Sequence, residues 1–401
     1  MPRAIDHIIR DALWQAHQQE DLDSRVLAQR FDLCHRTVQN LLRQARLNND
    51  IMPAAAYHSP IPGSKRHADS PDFLQARALR LEHPDWGADL IRIVLAEQFP
   101  DSVLPSARTL RRWFSEIDLC PAPPGRRILP LYRRAITVHQ TWQADATDQV
   151  LLADGSLASC FRCVDECSGT FLGSRVFPEV FNSVPSHSVQ TALRTMFGIY
   201  GMPVGMRFDN GMPWGSSGND LPSAMALWMA GMGLKLTFNP VRQPRYNGVV
   251  EKSNDTNQRW SEPHKAVNAD HWQQNVDAMD RRQREAYPFL RGRSRLDVFP
   301  ELKQISRPYS ESWEEENWDI KKAREYLAGF VAKRKVSAAG RITLYHRPYY
   351  PGRRHAGKIV LVNYDPVRCE WFVTEQGGGE LRRLPAPEIC RESIRSLDIS
   401  E

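Results

Sequence analysis

Thr141-Trp142-Gln143-Ala144-Asp145-Ala146-Thr147 places an acid, Asp145, on an apolar run that reads as a strand. Two further acids stand in matching contexts. Asp209 closes the strand-like Met206-Arg207-Phe208 and opens Asp209-Asn210-Gly211. Glu251 lies in Tyr246-Asn247-Gly248-Val249-Val250-Glu251-Lys252-Ser253-Asn254, just inside a segment that reads as a helix with Asn247 at its N-cap. Three carboxylates delivered from two strands and one helix can hold two divalent cations, the minimal apparatus for in-line displacement at a phosphodiester. Mg²⁺ suits such a set, because it prefers carboxylate, water and phosphate oxygens. Taken singly, each acid has a plainer account: a strand end, a turn, a helix-surface acid. Their order and context together favour the catalytic reading.

Around these acids the strand-like runs are 139–152, 157–166, 171–178, 204–209 and 234–239. Helical patterns cover about 186–200, 220–232 and 247–260. A further amphipathic helix carries Trp272, Val276, Met279 and Tyr287 on one face. Three consecutive strands followed by alternating helix and strand predict a mixed α/β sheet.

The motifs Trp142-Gln143-Ala144-Asp145, Cys163-Val164-Asp165, Phe208-Asp209-Asn210-Gly211 and Pro240-Val241-Arg242-Gln243-Pro244-Arg245-Tyr246-Asn247-Gly248-Val249-Val250-Glu251 resemble the retroviral-integrase superfamily of DDE transposases. The likeness is to bacterial insertion-sequence transposases with an integrase catalytic core, over roughly 136–307. It implies a ribonuclease H-like fold with Asp145, Asp209 and Glu251 as catalytic metal ligands for two Mg²⁺ ions, Mn²⁺ substituting. It further implies cleavage at a transposon end to free a 3′-hydroxyl, then strand transfer of that hydroxyl into target DNA. Asp165 falls on a neighbouring strand outside the triad, where it could support a metal indirectly. Between Asp209 and Glu251 stand 41 residues, more than many integrases have; the Gly/Ser-rich stretch from Trp214 to Asp220 accounts for the excess. Trp214 could stack on an unpaired base or be a half-buried residue of a surface loop. Arg242, Arg245 and Tyr246 are placed to contact the scissile strand; Asn254, Asp255 and Gln258, with Lys252, could touch DNA or simply form the solvated face of the helix.

Outside this core, 136–310, the chain divides further. Residues 1–50 read as a helix-turn-helix: helices at 5–19, 25–31 and 36–46, the second capped by Ser24. Arg36, Thr37, Gln39, Asn40 and Arg43 would face the major groove; the plainer account is a three-helix unit with a solvated face. A linker, 51–70, leads to a second such unit, 71–119, whose third helix opens at Ser106 and presents Arg108, Arg111 and Arg112. Residues 120–135 form a basic, Pro-rich linker that could follow a duplex backbone. Residues 311–340 comprise an acidic linker, Glu311 to Asp319, and a basic helix over 320–336 ending in Lys333-Arg334-Lys335. Residues 341–401 suit a small C-terminal β-barrel, with strands at 341–346, 358–364, 369–375 and 380–384. There Arg353, Arg354, Lys358, Arg382 and Arg383 could grip phosphates, or the barrel could serve assembly alone. The 401-residue chain is thus read as multidomain: N-terminal helical helix-turn-helix units, an α/β ribonuclease H-like core and a β-barrel.

Charge agrees with a polyanionic partner. The net charge is +6, and residues 320–401 hold 16 Lys/Arg against nine Asp/Glu. Seven cysteines at 34, 120, 160, 163, 167, 369 and 390 are odd in number and unevenly spaced, which argues against a disulfide framework. Cys160, Cys163 and Cys167 lack a fourth ligand at zinc spacing. No apolar run spans a bilayer and the N-terminus lacks a signal peptide's apolar region, so a cytoplasmic chain is expected; the resemblance implies a bacterial one, nucleoid-associated when bound to DNA. The implied partners are double-stranded DNA, at transposon ends and target, and further copies of the chain as a dimer or tetramer. An ATPase targeting partner remains an open alternative. Two other functions fit less well: a metal-dependent nuclease of the same fold, and a catalytically silent DNA-binding regulator.

Overall fold

Strand β2 (Leu157–Asp165) is buried along almost its whole length, which makes it an interior strand covered on both faces. A computed structural model describes residues 5, 7–47, 70–119, 134–178, 184–211, 214–215, 220–239, 246 and 248–399. The chain separates into two compact units, Met1–Leu74 and Gln75–Glu401.

In the first unit, α1 (His7–Glu20), α2 (Ser24–Arg30) and α3 (His35–Leu47) bury Leu13, Leu27, Val38, Leu41, Leu42 and Ala45. Ser24 is not the cap of α2. Asp23 holds that place, and the Ser24 hydroxyl bonds His35 Nε2 at 2.9 Å, tying α2 to the start of α3.

Helix α4 (Pro71–Glu82) straddles the boundary between the units, and in the second unit α5 (Ala88–Gln98) and α6 (Ala107–Glu116) precede the sheet. Ser106 caps α6 by accepting from the Thr109 N–H at 3.1 Å. Then come β1 (Thr141–Leu151), β2, β3 (Phe171–Pro178), α7 (Ser186–Tyr200), β4 (Gly205–Phe208), α8 (Ala224–Gly231), β5 (Lys235–Phe238), α9 (Gly248–Ser261), α10 (Ala269–Glu285) and α11 (Arg295–Val298). The five strands order as β3-β2-β1-β4-β5. The first three pair antiparallel, and β4 and β5 run parallel to β1. This mixed sheet flanked by helices has the arrangement of a ribonuclease H-like core.

The two faces of the sheet do different work. Trp142 and Ala144 of β1, Phe161 and Cys163 of β2, and Met206 and Phe208 of β4 pack with α7 and α8 in the main apolar core. Gln143 and Asp145 point to the opposite face, where Val164 meets Val249 and Val250 of α9 and Cys160 meets Trp272 and Val276 of α10. Cys160 and Cys163 therefore face opposite sides of the sheet and share no cation; burial pushes both thiols up. Beneath α9 lies a buried polar knot. Arg162 donates to Asp280 Oδ1 at 3.0 Å, Asn257 donates to the same oxygen at 3.2 Å, and Ser174 reaches Oδ2 at 2.7 Å.

Helices α4 and α5 are docked on this core. Trp86 Nε1 donates to the Trp260 carbonyl at 3.0 Å, His83 meets the buried Glu262, and Arg282 pairs with Glu97 at 2.6 Å. The C-terminal end of α9 is thereby gripped by the helical segment before the sheet.

The acidic stretch expected as a linker is helix α12 (Glu311–Asn317). Arg194 forks onto Glu314 at 3.0 and 2.7 Å, and Tyr309 and Trp228 donate to the same carboxylate. Burial alone would raise that acid; these donors instead hold it at about 2. The expected basic helix stops early: α13 spans Ile320–Ala328, capped at Gly329, and Lys333 to Lys335 belong to β6 (Ala332–Lys335). Next come β7 (Ile342–Leu344), β8 (Arg347–Tyr349), β9 (Ile359–Asp365), β10 (Glu370–Glu375), β11 (Glu380–Pro385) and α14 (Arg391–Arg395). In place of a closed barrel, the described residues form an open antiparallel sheet, β11-β10-β9-β6, and a separate β7-β8 hairpin. The hairpin strands are three residues each and pair only with one another. This sheet shares one apolar core with α8 and α13, through Trp228, Leu327, Val362 and Trp371.

Candidate active site

Strand register brings the two aspartates together. Thr141 pairs with Gly205, Trp142 with Met206 and Gln143 with Arg207. Continuing that parallel register sets Asp145 beside Asp209, both on the face that α9 covers. Regular pairing continues through Ala146 and Thr147, and a register shift follows between Thr147 and Val150, where bulges re-aim the backbone. Gly205 permits the neighbouring pair to close: a Cβ there would lie 2.5 Å from the Lys235 carbonyl oxygen of β5.

Helix α9 is placed by a residue the sequence reading cited only as context. Gln143, fully buried, accepts the Val250 N–H on its Oε1 at 3.2 Å. This bond pins the first turn of α9, an end whose N–H groups otherwise lack partners, to the strand that carries Asp145. Glu251 follows Val250 and is exposed. Asn254, one turn on, donates to Asp145 Oδ2 at 2.9 Å. It is a partner of the carboxylate, a role outside both the DNA contact and the solvated helix face expected of it. The period-two spacing of Gln143 and Asp145, and the i+3 spacing of Glu251 and Asn254, were the sequence signals for both roles.

The three acids feel one another. Asp145 is pushed up to about 7, first by burial, then by Asp209 and by Glu251, against the Ala146 N–H and Asn254. Glu251 is also raised, by burial and by Asp209. Mutual repulsion of this kind is what a bound cation relieves, and an all-oxygen donor set suits Mg²⁺. Among the described residues no three acidic, His or Cys groups converge on one point. A groove of about 1070 Å³ between β3, α7 and α10 contains none of the three.

Asp165 has a different job. It lies opposite Trp142, on the sheet face away from Asp145. There it accepts from the His139 N–H at 2.8 Å and from the Ser168 N–H and hydroxyl. It organises a buried turn. Trp214 is also reassigned: it is buried, and its Nε1 donates to Asp209 Oδ1 at 2.7 Å. Neither an open base-stacking platform nor a half-buried loop residue describes it.

The expected DNA-contact residues are spread over the fold. Arg36, Gln39, Asn40 and Arg43 are exposed on α3, with Thr37 half-buried. Arg108, Arg111 and Arg112 are exposed on α6, where Arg111 meets Asp89 and Arg112 lies 3.7 Å from Glu116. Tyr246 is half-buried, and Lys252 pairs with Asp255 at 2.6 Å. Arg242, Arg245 and the cap Asn247 lie outside the described residues, as do the linkers at 51–69 and 120–133. Arg353 and Arg354 are exposed in a short 3₁₀ turn, and Lys358 faces Glu375 at 3.4 Å. Arg383 is engaged by Asp365 at 2.9 Å.

No family model matches the chain. Among solved structures it is similar to a chain of the simian T-cell lymphotropic virus intasome in complex with the PP2A regulatory subunit B56 gamma. The identity is 13%, over 59% of this chain and 78% of that one, with a TM-score of 0.34. It is similar at 15% identity to the HTLV-2 integrase catalytic core domain in complex with magnesium, over 41% of this chain and 99% of that one, TM-score 0.31. A third likeness is the BIV integrase catalytic core domain: 15% identity, 41% and 95% covered, TM-score 0.29. At these scores the likenesses settle neither family nor activity, and the functional reading rests on the chain's own residues. Among the described residues no helix is long and apolar enough to cross a membrane.

Proposed function

We propose that this protein is a DNA transposase, a DDE-type polynucleotidyl transferase that binds transposon ends, frees their 3′-hydroxyls and joins them to target DNA. The observation that carries this reading is the placement of Asp145 and Asp209 in register on adjacent parallel strands, with Glu251 on the helix pinned above them. Asp145, Asp209 and Glu251 would hold two divalent ions, Mg²⁺ or Mn²⁺. When bound, such ions lower the barrier to attack at a phosphodiester and neutralise charge on the leaving oxygen.

The chain's own groups prepare that site. Asn254 orients Asp145, Gln143 fixes the start of α9, and burial keeps Asp145 within the sheet while Glu251 remains exposed at the edge. Closure of Glu251 toward the aspartates would complete the set. The exposed faces of α3 and α6 supply end recognition, and Arg353, Arg354 and Lys358 contribute phosphate contacts. Two ends must be held for joining, so at least a dimer acts on DNA, a tetramer being the larger option; whether an ATPase directs target choice is a separate question.

Labelled DNA ends flanking the gene, mixed with supercoiled plasmid and Mg²⁺ or Mn²⁺, test the proposal. Metal-dependent joined product is expected. Cleavage without joining would instead favour the nuclease reading, and end binding with neither reaction the regulatory one.

A further inference from the structure

Asp209 ends its strand with one carboxylate oxygen fully engaged. Oδ1 accepts from the Gly211 N–H at 3.0 Å and from Trp214 Nε1 at 2.7 Å. Oδ2 accepts no hydrogen bond among the described residues, so the carboxylate is held by one oxygen and offers the other.

The donor is itself immobilised. Trp214 is only 2% exposed. Its ring stacks on Phe208 with centroids 5.3 Å apart and planes at 22°, and it tilts against Phe161 at 5.9 Å. The turn closes tightly after it: a Cβ on Gly215 would stand 2.6 Å from the Asn210 carbonyl oxygen, and Gly215 N–H bonds the Gly211 carbonyl at 2.8 Å. The Trp214 carbonyl accepts the Ser223 hydroxyl at 2.9 Å, and Ser223 in turn caps α8.

From there the connection reaches the C-terminal sheet. Arg334 of β6 pairs with Asp220 at 2.7 Å, its Nε also held by the Thr343 carbonyl at 2.8 Å. The Tyr345 hydroxyl, in the β7-β8 turn, donates to the Pro222 carbonyl at 2.7 Å. A continuous set of bonds thus runs from the C-terminal sheet through Asp220, Pro222, Ser223 and Trp214 to Asp209.

We propose that Trp214 is a positioning residue for Asp209, and that Arg334 of the C-terminal sheet and Tyr345 of the β7-β8 hairpin hold Asp220 and Pro222, beside the Ser223 that bonds the Trp214 carbonyl. The inference rests on Asp209 as a metal ligand. Donors behind a ligating carboxylate set its orientation, and their loss typically costs 10–100-fold in metal affinity or activity. Trp214→Phe keeps an aromatic ring against Phe208 and Phe161 and removes the N–H donor together with part of the ring volume. The C-terminal segment then has a role beyond contact with DNA: it holds an active-site carboxylate in place within the same chain.

The test uses the full chain with Mn²⁺ as probe. Mn²⁺ affinity is measured by calorimetry for the parent, Trp214→Phe, Arg334→Ala and Tyr345→Phe. Indole ¹⁵N–¹H spectra are recorded for the same set and for Asp209→Asn. The expected result is Mn²⁺ binding about tenfold weaker in Trp214→Phe and several-fold weaker in the other two. The Trp214 indole resonance, assigned by its loss in Trp214→Phe, should move in Asp209→Asn and exchange faster with water in Arg334→Ala and Tyr345→Phe. Parent-like Mn²⁺ affinity in all three variants, with an indole resonance indifferent to Asp209→Asn, would overturn the brace and leave the transposase reading standing. A parent that binds no Mn²⁺ overturns the metal reading of Asp209, and the brace falls with it. Should Trp214→Phe fail to fold, the Arg334→Ala and Tyr345→Phe results decide alone, since each acts at a distance from Asp209.

Discussion

Asp145→Asn should stabilise the metal-free protein at pH 8 while abolishing its chemistry. The Asp145 carboxyl is pushed from an ordinary 3.8 to about 7. A raised value means the fold prefers the protonated acid. Below about pH 4 Asp145 costs the fold nothing. As pH rises from about 4 to 7 the folded state loses stability relative to the unfolded chain, and above 7 the loss is complete. Each pH unit of that interval is worth roughly 1.4 kcal/mol, so the full cost is on the order of 4 kcal/mol. Asparagine accepts fewer hydrogen bonds than the carboxylate, and local relaxation offsets part of the repulsion, so about 2 kcal/mol is the expected gain. Urea denaturation in EDTA, at pH 4 and pH 8, reads it directly. The variant should match the parent at pH 4 and exceed it at pH 8. Mg²⁺ should reverse the order: at ten times its Kd it adds about 1.4 kcal/mol to the parent by mass action and much less to the variant. A variant no more stable than the parent at pH 8 would refute the claim that burial and the neighbouring acids together disfavour the charged Asp145 carboxylate in the fold.

Three further outcomes follow from the packing. Asp280→Ala strands the buried Arg162 guanidinium, now bonded to Asp280 at 3.0 Å, and should cost about 3–5 kcal/mol in urea denaturation; Arg162→Met with Asp280→Leu should cost much less. Gln143→Ala leaves the Val250 N–H without its acceptor and should cost about 1–3 kcal/mol. Hydrogen exchange should rise in the first turn of α9 while its C-terminal end stays protected. Gly231→Ala puts a Cβ 2.2 Å from the Trp318 ring and should cost about 1–3 kcal/mol or more by overpacking. Proteolysis between α8 and α12 reports the loosened contact.

Most of the core was legible because each strand and helix carries a strong local pattern. Phe171–Pro178 and Ser186–Tyr200 begin and end where their periodicity does. Motif order singled out the three candidate acids, and the strand register sets two of them, Asp145 and Asp209, side by side. What escaped was set by tertiary partners. Glu314 sits in an acidic run that reads as solvated, yet Arg194, Tyr309 and Trp228 converge on it and draw α12 into the core. Lys333 to Lys335 extend a helical pattern, but pairing with β9 claims them as a strand. Trp214 stands in a Gly/Ser-rich stretch that suggests an open loop; only the fold sets Phe208 and Phe161 around its ring. Asp165 looks like a fourth acid beside Asp145, and strand parity alone sends it to the other face.

The most direct test of the central claim is DNA joining by Asp145→Asn, Asp209→Asn and Glu251→Gln beside the parent, with end binding measured on the same preparations. All four proteins should bind the transposon ends alike. Joining should fall by about a hundredfold to a thousandfold in each variant, as expected when a group that stabilises transition-state charge is removed. Any one variant that joins within about tenfold of the parent would take its carboxylate out of the site and contradict the account.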